Sequence, residues 1–142
     1  MIRLTRRYRF SSAHRLHAAQ LSDNENRDVY GKCNNPFGHG HNYTVEVSVR
    51  GPLDQATGLV VDLQALDALV RERVVDAFDH KDLNRQAAEF AATPPTTENL
   101  AIVIRDRLLA GWDDTFPGGG TGLERIRIYE TKRNIFEVNG KS

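Results

Sequence analysis

Hydrophobic residues recur with period two near both ends of the chain and with a helical period in its middle. Between residues 2 and 13, Ile2, Leu4, Tyr8, Phe10 and Ser12 share one parity and Arg3, Arg7 and Arg9 the other, which predicts a strand with one core face. Residues 39–50 alternate more cleanly, with Tyr43, Val45, Val47 and Val49 opposed to Thr44, Glu46, Ser48 and Arg50. Gly51-Pro52 ends that strand, and residues 53–58 lead to a short extended piece at 59–61. Asp62 is placed to cap a helix over about 63–77, with Leu66, Val70 and Val74 on its apolar stripe. Thr96 or Thr97 can cap a second helix that buries Leu100, Val103, Ile104 and Leu108. Residues 123–130 and 134–138 read as two final strands joined by a turn at 131–133.

The order is β-β-α-α-β-β, an α+β pattern with an antiparallel four-stranded sheet and two helices on one face. Residues 15–38 are polar and turn-rich and predict a long ordered loop, a length that usually signals function. Residues 113–122 hold four glycines and predict a flexible connection. Four strands do not close a barrel, so sheet edges stay exposed, and self-association through them is the expected remedy.

Composition narrows the function. The chain has 142 residues, enough for one domain over 1–142 with a sizeable core and no disulfide staples. Lys plus Arg and Asp plus Glu both number 19, which removes the overall electrostatic case for nucleic acid. The single cysteine rules out an intramolecular disulfide. No apolar run has the length of a signal peptide core or a membrane span. The expectation is a cytoplasmic protein with no membrane partner.

Chemistry concentrates in the histidines. His39-Gly40-His41 opens the second strand, and an i,i+2 pair there points both rings to one side. Their parity continues that of Tyr43, while His14 continues that of Phe10. Three imidazoles thus leave two strand ends on what can be one face. Three nitrogen ligands with an open fourth position is the arrangement of catalytic zinc, although a surface His-x-His pair is the commoner reading. Gly40 between the two rings is read as permitting close backbone approach.

Cys33 lies six residues before His39 among lysine, asparagine and proline, an unusual setting for a buried thiol. It can be a base or nucleophile acidified by a cation, or a fourth ligand that closes the site. Asp79-His80 ends the first helix; a carboxylate orients an imidazole for proton transfer, or the pair is a solvated helix end. Glu130 shares parity with Ile126 and Ile128, which aims a carboxylate along an apolar face and calls for a partner. An arginine would serve, or the N–H edge of a ligand.

Together these residues resemble the 6-pyruvoyl-tetrahydropterin synthase family. The match is carried by Phe10-Ser11-Ser12-Ala13-His14-Arg15-Leu16 and by the run from Gly31 through Cys33 and His39-Gly40-His41 to Tyr43. Asp79-His80-Lys81, Thr96-Thr97-Glu98-Asn99 and Tyr129-Glu130-Thr131 extend it over nearly the whole chain, in the family's order. The resemblance implies zinc held by His14, His39 and His41, with Cys33 as general base and Asp79 and His80 as its relay. It implies that Glu130 anchors the pterin ring, helped by Thr96, Thr97 and Glu98. It implies the T-fold, in which three subunits join their sheets into a barrel, two trimers stack, and sites lie between subunits.

The implied reaction takes 7,8-dihydroneopterin triphosphate to 6-pyruvoyl-tetrahydropterin. A sister branch resembles the chain too: the 6-carboxy-tetrahydropterin synthases, which release acetaldehyde as well and serve queuosine synthesis. That branch usually has three residues between the cysteine and His-Gly-His. Here five, residues 34–38, intervene as in the pyruvoyl branch, while Phe78 replaces the usual leucine before Asp-His. Arg15 and Arg27 are candidate triphosphate ligands. A non-catalytic zinc module is the reading from another class; it would leave Cys33, Asp79 and Glu130 without a shared role.

Overall fold

The computed structural model describes residues 1–140. Its sheet has the strand order β3-β1-β2-β4-β5, where β1 is Ile2–His14, β2 His39–Gly51, β3 Lys81–Asp82, β4 Gly122–Tyr129 and β5 Ile135–Asn139. All four expected strands are present; β3 is a fifth and corrects the four-stranded count. It has two residues and pairs parallel with Ser12 and Ala13, whereas the other pairs are antiparallel. Two residues carry no alternation pattern, so β3 left no trace in the sequence.

Five α-helices among the described residues, against the two expected, complete the architecture: α1 Asp23–Tyr30, α2 Leu63–Val70, α3 Asp76–Phe78, α4 Leu83–Gln86 and α5 Thr97–Thr115. A π turn at Arg71–Val75 joins α2 to α3 without a break. Leu66, Val70, Val74 and Phe78 are all fully buried, a spacing of four that drifts around an ordinary α-helix. The wider turn absorbs the drift and keeps Phe78 against the core. Asp62 caps α2, accepting from the backbone N–H of Gln64 and Ala65, as expected. Thr96 caps α5 in the same way, from Asn99.

Three local expectations give way. The long loop at 15–38 contains α1, closed by a capping box in which the side chains and backbone N–H groups of Ser22 and Glu25 bond reciprocally. Residues 59–61 form no strand; Val60 and Val61 are buried in the core as coil. Helix α5 runs to Thr115, so the glycine-rich connection starts later than the sequence suggests.

Phe10, Tyr43, the valines of β2 and Ile126 and Ile128 of β4 form one core with α2 and α5. Gly111 sits where α5 meets α2: a Cβ there would lie 2.9 Å from Leu69 Cδ1, and the Leu69 side chain would have to shift. A bulge at Ser48/Val49 opposes the extra residue Glu124, so Leu123 and Ile126 both reach the core although their parities differ. Glu124 thereby joins the polar face, where it pairs with Arg3. On that face Glu46 is nearly buried and accepts from Arg7 at 2.7 Å and from the Tyr129 hydroxyl at 3.1 Å.

Candidate active site

The register of β1 against β2 assembles the histidines. His14 lies directly opposite His39, and His41 opposite Ser12 two residues along. Side chains at such positions share one face and touch. The ring centroids of His14 and His41 are 4.8 Å apart, and those of His39 and His41 4.6 Å.

His14 is buried, with 1% of its surface exposed. Its Nδ1 lies 2.9 Å from the carbonyl oxygen of Pro95. A carbonyl only accepts, so Nδ1 carries the proton and Nε2 keeps its lone pair. That Nε2 is buried without any hydrogen-bond partner among the described residues. An orphaned nitrogen of this kind, with the ring fixed by a carbonyl behind it, is how a metal-ligating imidazole is held.

Cys33 completes the cluster. Ligand atoms of His14, Cys33 and His41 all lie within 4.8 Å of one another, and Cys33 Sγ is 3.9 Å from His41 Nε2. A short 3₁₀ turn, Gly31–Asn34, presents the thiol. The Cys33 carbonyl accepts from Leu16 N–H at 2.7 Å, while the Asn34 amide donates to Leu16 O at 2.6 Å. These bonds tie the cysteine segment to the chain leaving β1. His39 is outside this compact trio; its ring is exposed beside His41.

Electrostatics favour neutral imidazoles and a protonated thiol. Burial, aided by the nearby His41, pushes His14 down to about 4, and burial also lowers His41. Burial raises the Cys33 thiol, and the charge of Glu130 raises it further. The neutral rings are in ligating form, whereas the thiol needs a cation nearby to ionise. Two imidazoles and a thiol around one point, with a third imidazole adjacent, fit zinc as a donor set.

Glu130 follows the end of β4 and has the partner its position demanded: the Thr97 hydroxyl donates to its carboxylate. Thr97 is buried and Thr96 half-buried, while Glu98 is exposed. The Glu130 charge reaches His14, Cys33, His41 and Tyr43, so the carboxylate belongs to the same neighbourhood.

Asp79 and His80 are held by Ser11 of β1. Asp79 Oδ1 accepts from Ser11 N–H at 2.9 Å, and His80 N–H donates to Ser11 O at 2.6 Å. His80 has φ of 57°, a left-handed conformation costly for a residue with a Cβ. Its side chain is 84% exposed and 3.5 Å from Asp79. No hydrogen bond or ion pair joins either residue to Cys33 among the described residues. His80 and His41 instead border one shallow depression beside Ser11 and Asn42.

Some supports were missed in the sequence. Gly40 meets open space, so close approach is not its role in the single chain. Gly38 is the constrained glycine, with φ of 83° and a Cβ position 3.3 Å from His14 O. Asn26 is fully buried; its amide bonds Ala18 N–H and the carbonyls of Ala18, Leu21 and Ser22. The spacing Ser22-x-x-Glu25 was the available signal for the helix that carries it.

A strand-end cluster of imidazoles and one thiol, with a carboxylate clasped nearby, makes a candidate active site at one end of the α+β sheet. The 6-pyruvoyl tetrahydropterin synthase family model matches residues 3–141, and the chain belongs to that family of enzymes. It is 46% identical over 138 residues to the 6-pyruvoyl tetrahydrobiopterin synthase of Poecilia reticulata, covering 97% of this chain and 90% of that protein. The solved 6-pyruvoyl tetrahydropterin synthase of Caenorhabditis elegans superimposes with a TM-score of 0.88 at 38% identity, over 99% of this chain and 96% of that one. A 6-carboxy-5,6,7,8-tetrahydropterin synthase of Rickettsia felis is 24% identical, over 97% of this chain and all of that protein. Among the described residues no helix is long and apolar enough to cross a membrane.

Proposed function

We propose that this chain is a zinc-dependent, cytoplasmic synthase converting 7,8-dihydroneopterin triphosphate to 6-pyruvoyl-tetrahydropterin with release of triphosphate. The observation that carries the reading is the unpartnered His14 Nε2 facing Cys33 and His41. His14, His39 and His41 would hold the ion, the exposed His39 ring turning in from its place beside His41. Bound there, zinc would supply a Lewis acid for the hydroxyl oxygens of the substrate side chain and would acidify the adjacent carbon-bound protons.

Cys33 is then the base. A nearby cation offsets the burial and the Glu130 charge that otherwise keep the thiol protonated, and the thiolate takes a proton from carbon. Triphosphate leaves with the electron pair of its C–O bond, and tautomerisation completes the pyruvoyl group. Electrons move only within the substrate, so the conversion calls for no redox cofactor.

Glu130 anchors the pterin by accepting two parallel N–H bonds from its guanidine-like edge, and Thr97 fixes the carboxylate's orientation. Thr96 keeps a hydroxyl hydrogen free to donate while it caps α5, and exposed Glu98 stands beside it. Asp79 and His80 serve as proton relay to the site of a neighbouring copy. The exposure of His80, with no bond from either residue to this chain's Cys33, supports a trimer, or a dimer of trimers, with shared sites. The five-residue spacing after Cys33 and the greater similarity to synthases of the pyruvoyl type favour that product over the 6-carboxy product of queuosine synthesis. Incubation with 7,8-dihydroneopterin triphosphate and mass analysis tests this directly. A pyruvoyl product supports the reading; a carboxy product with acetaldehyde, or unchanged substrate, overturns it.

A further inference from the structure

The corner that carries Asp79 and His80 is strained and braced. Helix α3 ends at Phe78, Asp79 is extended, and His80 turns back with φ of 57°. A left-handed residue with a Cβ persists only where its surroundings fix it, and the exposed His80 ring does not offset that cost by packing. The bracing acts on Phe78, from two sides. Its carbonyl, at a helix end where intrahelical donors run out, accepts from the hydroxyl of buried Ser12. Ser12 is a polar residue on the core parity of β1, and this bond satisfies it. The Phe78 ring is fully buried, and the Arg107 guanidinium carbon lies 4.7 Å from its centroid. Arg107 is itself anchored: Nε and Nη2 donate to the two Glu89 oxygens at 2.6 and 2.8 Å, and Nη1 donates to the π-turn carbonyl of Arg73 at 3.3 Å.

We infer that Ser12 and Arg107 are positioning residues for the Asp79–His80 pair, acting on it through Phe78; the inference rests on the relay role proposed above. Phe78 directly precedes the pair, so a shift of that residue passes into both side chains. A proton relay works only within hydrogen-bond reach of its target, and a misplacement of about 1 Å costs on the order of 100-fold in rate. Backbone bonds to Ser11 tie the pair to the edge of β1. Ser12 adds a restraint from the strand side, and Arg107 adds one from α5, with Glu89 as its anchor. Together they fix the direction in which the His80 ring leaves the surface, although the ring itself touches neither the core nor the sheet for support.

The test uses the zinc-loaded protein, with 7,8-dihydroneopterin triphosphate as substrate and triphosphate release as the readout. Ser12→Ala is expected to lower kcat roughly tenfold or more, and Arg107→Gln by a smaller factor, with KM little changed. Ser12→Thr keeps the hydroxyl and should keep the turnover. In the His80→Gln background neither Ser12→Ala nor Arg107→Gln lowers kcat further, because the group each positions is gone. Losses that multiply in that background, or that appear in KM alone, would overturn the inference and leave the relay in place. Wild-type kcat in His80→Gln would overturn the relay and the inference with it. Amide hydrogen exchange gives a readout independent of turnover. Both variants should speed exchange at His80, whose N–H donates to Ser11 O, and spare Val45 and Val47 in the middle of β2. Unchanged exchange at His80 in both would overturn the inference. Faster exchange there, in a protein that never releases triphosphate, would leave the brace standing and sink the proposed reaction instead.

Discussion

The sulfur of Cys33 lies 3.9 Å from Nε2 of His41, and the orphaned Nε2 of His14 belongs to the same cluster. The relationship has a chemical consequence. A half-buried thiol beside Glu130 is held in its protonated form, so proton abstraction by this sulfur depends on positive charge arriving among the imidazoles. In the proposed mechanism the metal and the base are therefore coupled: without the ion, the thiol is a poor base.

Cys33→Ala should lower kcat by roughly 100- to 10,000-fold, the usual range for a lost general base. Zinc content and thermal stability should stay near wild type, since the thiol contributes little to the core. Steady-state kinetics with metal analysis on the same sample checks this. Wild-type turnover would remove Cys33 as the base.

Glu130→Gln should weaken pterin binding by about 1.5–3 kcal/mol, the range for hydrogen bonds to a charged group. Thr97→Val should do less, because it removes only the hydroxyl that orients the carboxylate. Zinc content should change in neither. Titration with a pterin followed by fluorescence would show the order; equal affinity in all three proteins would place the anchor elsewhere.

Acid should destabilise the metal-free protein through His14. Burial holds this ring at about 4 against an ordinary 6.5, so between those values the unfolded chain takes up a proton that the folded chain refuses. The contribution of neutral His14 is complete above about pH 6.5 and is lost as pH falls toward 4. A pKa that differs by one between the folded and unfolded chain corresponds to about 1.4 kcal/mol of stability. Melting temperatures of metal-free wild type and His14→Gln across this range measure it. The acid dependence below pH 6.5 should be shallower in the variant than in the wild type, the remainder coming from His41 and the carboxylates; parallel curves would contradict the assignment.

Much of this was legible from alternation alone. Clean parity in β2 fixed which side His39, His41 and the valines share, and Asp62 and Thr96 are at the caps their spacing indicated. The pairing register that sets His14 opposite His39 was not legible, because a strand shows its faces but not its partner's offset. β3 was invisible for a related reason: its two residues are recruited by the edge of β1, where Ser11 clasps Asp79 and His80. Helix α1 has few apolar residues to mark it, so only its capping box signalled it. Residues 79 and 80 read as a pair, yet their bonds to Ser11 follow from tertiary contacts that no local pattern encodes.

The central claim is that zinc sits among three imidazoles with Cys33 adjacent and uncoordinated. X-ray absorption at the zinc edge of the loaded protein tests it most directly. The account predicts a shell of nitrogen and oxygen neighbours at about 2.0–2.1 Å with no sulfur, reduced by one imidazole or emptied in His39→Ala. A sulfur neighbour at about 2.3 Å, persisting when His39 is removed, would make Cys33 a ligand and contradict its role as the base.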